Sequence, residues 1–203
     1  MFISFEGIDG CGKSTQLEFL ATRLRECEYS VCTTREPGGT ALAETIRNYL
    51  LHSAQPLDGR AELLLFGAAR AQHVAEVIRP ALQRKEIVLS DRFGDSSVAY
   101  QSGGLGLDRE FILKMNTFAT QNLEPDRTFF LKIDPLLAQA RRETETTDRI
   151  EKRGLAFQTR VHEEYLRLAQ ENPIRIVTLD ANQSRENLHA KIVASLASRG
   201  LKL

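Results

Sequence analysis

A lysine and a hydroxyl side by side, Lys13 and Ser14, close a glycine-rich run, Gly7-Ile8-Asp9-Gly10-Cys11-Gly12, and lead into Thr15. Gly, four residues, then Gly-Lys-Ser is a phosphate-binding spacing. Its glycines let successive backbone N–H groups turn inward around an anion, where side chains would block the approach. Lys13 then reaches the outer phosphates of a nucleoside triphosphate, and Ser14 offers its hydroxyl to Mg²⁺. That metal needs a carboxylate as well. Asp91 supplies one, at the end of the apolar run Ile87-Val88-Leu89, and Arg92 beside it has the planar fork that clamps a phosphate. Arg35 and Glu36 form a second charged pair, between the β-branched run Val31–Thr34 and the loop Pro37-Gly38-Gly39-Thr40. Phe66 and Arg70 stand four apart, so on a helix they put an aromatic platform beside a cation, although Phe66 alone also fits a core position. Cys11 lies inside the phosphate loop near a helix N-terminus, which predicts a lowered thiol pKa and a site where oxidation would block nucleotide binding.

These residues need elements to hold them. Phe2–Phe5, Val31–Thr34, Ile87–Leu89, Thr128–Ile133 and Ile174–Leu179 read as buried strands, each followed by a helical pattern. Leu17, Leu20, Ala21, Leu24 and Cys27 recur at three- and four-residue steps, giving the helix that aims its N-terminus at the anion. Thr40 caps the next helix, a long one spans about residues 59–78, and Pro80 kinks or restarts it. Residues 95–106 are polar, glycine-rich and compact, and read as unlike core. Asp108, Asp134-Pro135 and Ser184 open further helices. Residues 141–154 are almost wholly polar and read as a mobile lid, or else as a solvated connector whose arginines pair with its own glutamates. The alternation predicts an α/β fold, a five-stranded parallel sheet flanked by helices, as one domain over residues 1–203.

Composition narrows the partners. The chain carries 27 Lys+Arg against 27 Asp+Glu, with no Lys/Arg run beyond two, which argues against a nucleic-acid or membrane surface. Met1 runs straight into a strand without a leader, and a cytoplasmic location is expected. Cys11, Cys27 and Cys32 lack metal-ligand spacing and suit a reducing compartment. His52, His73, His162 and His189 also lack it and are expected on the surface or on helix faces.

A phosphate loop fixes the nucleotide phosphates and not the reaction, since kinases, ATPases, switch GTPases and motors share it. No Asn-Lys-x-Asp base-reading motif is present, and the chain is small for a motor. Strand-end arginines with an arginine-rich lid suit two phosphorylated substrates brought head to head, where alignment and charge neutralisation matter most. A silent nucleotide-binding module that signals by closing is the alternative from another class. Intact Lys13, Ser14, Asp91 and Arg92 weigh against it.

Phe5-Glu6-Gly7 through Thr15, Thr34-Arg35-Glu36-Pro37-Gly38-Gly39-Thr40, Phe66-x-x-x-Arg70-x-x-His73, Asp91-Arg92-Phe93 with Ser97, Tyr100 and Gln101, and Asp148-Arg149-Ile150-Glu151 together resemble the thymidylate kinase family. The resemblance runs in order from residue 2 to about residue 170, and Arg35–Thr40 is its most specific block. It implies a P-loop nucleoside monophosphate kinase fold, a homodimer, and transfer of the γ-phosphoryl group of ATP to dTMP with Mg²⁺. By position it implies that Phe66 stacks on thymine and Arg70 bonds the base or the phosphate side. Arg92 then holds the dTMP phosphate, with Arg35 and Glu36 lining that end. Ser97 and Gln101 read the pyrimidine edge, and Tyr100 crowds the sugar's 2′ position. Asp9 lies near the acceptor's 3′-hydroxyl or the metal. Some family members carry an arginine in the phosphate loop. Here the spacer Ile8-Asp9-Gly10-Cys11 has none, so the lid is expected to supply the cation from Arg141, Arg142, Arg149 or Arg153, with Arg149 favoured for binding and Arg142 or Arg153 for transfer. Other acceptors, such as dUMP or a deoxynucleoside, stay open at this stage.

Overall fold

The computed structural model describes residues 1–141 and 148–203. The expected lid residues Arg142 to Thr147 therefore lie outside the described residues. In chain order the elements are β1 (Phe2–Glu6), α1 (Lys13–Glu26), β2 (Val31–Arg35), α2 (Ala41–His52), α3 (Gly59–His73), α4 (Arg79–Gln83), β3 (Ile87–Asp91), α5 (Gly94–Ser97), α6 (Arg109–Thr120), β4 (Arg127–Lys132), α7 (Pro135–Ala140), α8 (Leu155–Glu171), β5 (Ile176–Asp180) and α9 (Arg185–Ala197). The strands form one parallel sheet in the order β2-β3-β1-β4-β5. β1 is buried along its whole length, and alternation sends its side chains to opposite layers. Ile3 and Phe5 join the larger core with Leu20, Leu24, Leu89 and Phe129, while Phe2 packs with Val74, Ile78, Val88 and Phe93 on the other face.

Two segments show more than the sequence expectation held. Pro80 stands in the first turn of a helix that follows an irregular turn, as expected: α3 runs through a π-helical turn, Val74–Ile78, into α4, which opens at Arg79. Proline at the second position of α4 has no N–H to donate, and the wider π turn just before it absorbs the lost bond. Residues 95–106, expected to be unlike core, are largely built into it. They form α5 and a π-helical stretch, Val98–Gly104, with Val98, Ala99, Tyr100, Gln101 and Gly104 buried against α8. A Cβ at Gly104 would strike the Phe157 ring, so that glycine serves close helix packing.

Candidate active site

Register brings the chemistry to one edge of the sheet. Phe5 is level with Asp91, and Arg35 with Asp91, so β1, β3 and β2 end together. This is the carboxyl end of a parallel sheet, where open α/β folds bind their ligands. From β1 the chain turns through Gly7, Gly10 and Gly12, with φ of 139°, 84° and 95°, into α1. A Cβ on Gly7 would sit 2.8 Å from the Leu131 carbonyl oxygen, which leaves no room for any other residue. Lys13 is buried, its Nζ donating to the Ile8 carbonyl at 3.1 Å and lying 3.5 Å from Asp9 Oδ1. Ser14 Oγ donates to Asp91 Oδ2 at 2.5 Å. Ile8 and Cys11 are buried under the loop. Burial pushes the Cys11 thiol up, more than the charges of Lys13 and Arg92 pull it down. The expected lowering at a helix N-terminus is therefore overturned, because the thiol points into the core.

Arg92 organises the next layer. At φ 72° its backbone N–H reaches the Phe5 carbonyl, and its guanidinium turns back across the loop. It donates to Asp9 Oδ1 at 2.6 Å, to the Tyr100 hydroxyl at 3.0 Å and to the Gly7 carbonyl at 3.0 Å. Burial works against the Arg92 charge, but Asp9 beside it more than restores it. Beneath lies Glu6, fully buried, accepting from Phe93 N–H, the Ser96 hydroxyl and the Tyr165 hydroxyl at 2.6–2.7 Å. Burial first, then the Asp95 charge, pushes its carboxyl up to about 7.

Arg70 is only 2% exposed. Its Nε donates to Glu36 at 2.7 Å, and Nη1 donates to Ser97 at 2.9 Å and Asn116 at 2.6 Å. His73 Nδ1 contacts Glu36 at 3.0 Å, and Nε2 contacts Thr34 at 2.6 Å. Burial raises the Glu36 carboxyl, but Arg70 and His73 outweigh it and hold it low. His73 is thus a buried link on a helix face, one of the two positions expected for it, and not on the surface. It stands three residues after Arg70, on the same helix face, which is the signal a helical reading of that segment contains.

Two clefts meet here. One has a cavity of ≈ 100 Å³ and is lined by Phe66, Arg70, Ser97, Tyr100 and Gln101 among others. The second runs along Gly10 to Gln16 with Arg35, Asp91, Arg141 and Arg185. Asp9, Glu36, Arg47 and Arg92 line both. Arg35 belongs to the second cleft and not the first; it is half-exposed and paired with Glu44 at 3.2 Å. Arg149 and Arg153 do not point at the phosphate loop: both pair with Glu62 at 2.6 Å. Arg47, Asn116, Glu62, Tyr165 and Arg185 were not singled out from sequence.

The donor set also fits a hard cation. Among the described residues no group of three His, Cys, Asp or Glu could hold a metal alone. One hydroxyl and one carboxylate at the mouth of a phosphate cradle match Mg²⁺, which takes few protein oxygens and keeps water and substrate phosphates.

A parallel sheet with a phosphate loop after β1 and a second cleft sharing its charged wall defines the P-loop nucleotide kinases as a class. Known proteins narrow the class. The thymidylate kinase family profile matches residues 5–192. A thymidylate kinase of Bifidobacterium longum (strain DJO10A) is 49% identical over 200 residues, covering 97% of each chain. One of Prosthecochloris aestuarii is 44% identical over 209 residues, covering 98% of this chain and 94% of its own. The crystal structure of thymidylate kinase from Ehrlichia chaffeensis superposes with a TM-score of 0.80 at 38% identity, covering 97% of this chain and 98% of that one. The chain belongs to the thymidylate kinase family.

Proposed function

We infer that the chain transfers the γ-phosphoryl group of ATP to dTMP, giving dTDP and ADP. The observation that carries this reading is the wall of Asp9, Glu36, Arg47 and Arg92 shared by the two clefts. A donor phosphate in one and an acceptor phosphate in the other meet there. An oxygen of the dTMP phosphate attacks the γ-phosphorus, the new P–O bond forms, and the bond to the β-bridging oxygen breaks with its electrons leaving on ADP. Such a transfer needs alignment and charge more than covalent help.

The loop Gly7–Thr15 cradles the triphosphate with backbone N–H groups, and Lys13 balances its outer charge. Ser14 and Asp91 would hold Mg²⁺, which would supply positive charge to the triphosphate. Arg92 and Arg47 hold the acceptor phosphate, and Asp9 keeps Arg92 aimed. Arg35 screens the phosphates from the rim of the donor cleft. Phe66 stacks on the ring, Arg70, Ser97 and Gln101 meet its polar edge, and Tyr100 closes the space beside the sugar's 2′ carbon. Of the described lid arginines, Arg149 and Arg153 belong to the acceptor side through Glu62, and we assign Arg141 to the donor side.

The enzyme acts as a homodimer in this reading. Leu42 and Tyr49 of α2, Leu64 of α3, and Phe111 and Phe118 of α6 are exposed, with Phe118 87% exposed, and α3 packs against both α2 and α6. Such a face is what an interface between two copies covers, and sedimentation of the chain tests it by reading one mass or two. No described helix is long and apolar enough to cross a membrane. We assign the enzyme to the cytoplasm, which holds its nucleotide substrates and keeps its cysteines as thiols.

The test is ADP production from Mg-ATP with dTMP, dUMP, dCMP, dGMP and thymidine as separate acceptors. The reading expects dTMP to lead. Equal turnover of all the nucleotides would refute it.

A further inference from the structure

Glu62 stands one turn before Phe66 on α3, is fully buried, and is not among the described residues lining the acceptor cleft. N–H groups fill both its oxygens. Gln101 Nε2 and Arg153 Nη1 each donate to Oε1 at 3.1 Å, and Arg149 Nη2 and Arg153 Nη2 each donate to Oε2 at 2.6 Å. Burial raises the Glu62 carboxyl, but Arg153, Arg149 and Gln101 together outweigh it and hold it below the usual range. The group is therefore a carboxylate, which accepts and cannot donate.

That fixes the direction of Gln101. A primary amide has nearly the same shape either way round, so packing alone does not decide which end is the carbonyl. Facing a carboxylate it must present its NH₂. The carbonyl oxygen is then committed to the other branch of the amide, and Gln101 is a lining residue of the acceptor cleft. Thymine and uracil carry a donor at N3, whereas cytosine has a bare acceptor there.

We propose that Glu62 is a specificity-determining positioning residue: by holding the NH₂ of Gln101, it makes the face Gln101 turns to the cleft an acceptor, selecting a pyrimidine with N3–H over one without. This rests on Gln101 reading the ring edge. Arg149 and Arg153 serve the same end, because two cations keep Glu62 ionised. A neutral partner at this position would both donate and accept, and Gln101 would be free to turn over.

The experiment is kcat/KM of the full chain with Mg-ATP and either dTMP or dCMP, for the wild type, Glu62→Gln and Gln101→Leu. Glu62→Gln should lower the dTMP-over-dCMP ratio by about tenfold or more, since paired and unpaired polar groups discriminate at least that strongly. The KM for ATP should stay within about twofold. A merely structural Glu62 would weaken both acceptors alike and leave the ratio unchanged; that result, with a lowered ratio in Gln101→Leu, overturns the inference and leaves the ring-reading role standing. An unchanged ratio in Gln101→Leu removes the ring-reading role, and the inference with it. Should Glu62→Gln fail to fold beside its two arginines, the exchange Glu62→Gln/Gln101→Glu keeps one amide facing one carboxylate and an acceptor toward the ring. Its ratio should lie within about threefold of wild type, and a ratio as low as that of Gln101→Leu would overturn the proposal.

Discussion

The two clefts that meet at Asp9 and Arg92 are made of different materials. On the donor side the phosphate loop works through backbone N–H groups, with Lys13 and the Ser14–Asp91 pair as its polar side chains. On the acceptor side nearly every polar side chain is tied to another: Arg70 to Glu36, Ser97 and Asn116, His73 to Glu36, and Gln101 to Glu62. A backbone cradle recognises phosphates whatever base they carry. A network of buried side chains fixes donors and acceptors in place, and so can tell one ring edge from another. On the proposed reading, selectivity belongs to the acceptor cleft, and charge to the wall between the two.

Breaking the wall should have the largest effect. Arg92→Met removes a cation that both clefts share, and kcat should fall by about a thousandfold. Single-turnover rates with saturating ATP and dTMP measure it. A loss confined to the KM for dTMP would mean that Arg92 only binds the acceptor.

A break on one side should be smaller and one-sided. Arg70→Met removes the cation tied to Glu36, Ser97 and Asn116, at a position that lines the acceptor cleft and not the other, and kcat/KM for dTMP should drop about 30–150-fold, in line with the roughly 2–3 kcal/mol such a loss costs. ATP affinity, read by titration without acceptor, should hold. Equal damage to both substrates would erase the contrast between the clefts.

Glu6 should give the smallest effect on activity, because it lies under both clefts and touches neither, and the readout is stability. Its carboxyl is raised to about 7 in the folded chain against an ordinary 4.5. The folded state thus keeps a proton that the unfolded state gives up. The resulting stabilisation, up to about 3 kcal/mol, is full below the lower value and disappears as pH rises through the upper one. Urea midpoints at about pH 5 and about pH 8 should differ more in the wild type than in Glu6→Gln. Identical pH dependence in the two would contradict a protonated Glu6.

Much of this was legible in the residues. The phosphate loop carries its mechanics in glycine positions, and buried parallel strands read as unbroken apolar runs such as Ile87–Leu89. Asp91 and Arg92 follow because strand ends deliver charge to the crevice. What stayed hidden is buried polarity. Glu62, His73 and Asn116 have the same letters as solvated helix residues, and only the fold brings Glu62 to Arg149 and Arg153 or His73 to Glu36. The burial of residues 95–106 was hidden for a related reason: the segment's polar residues and glycines read as unlike core, whereas Gly103 and Gly104 are where α8 comes close. The thiol of Cys11 shows the same limit, since its depth under the loop, and not its place in the motif, sets its acidity.

The central claim is that two phosphates meet head to head across Asp9, Glu36, Arg47 and Arg92. An adenosine and a thymidine joined 5′ to 5′ through a chain of phosphates would occupy both clefts at once. Calorimetric titration should show such a compound binding at one site per chain, at least about a hundredfold tighter than ATP or dTMP alone, and displaced by either. Displacement by one nucleotide only, with affinity no better than that nucleotide's own, would contradict the shared wall.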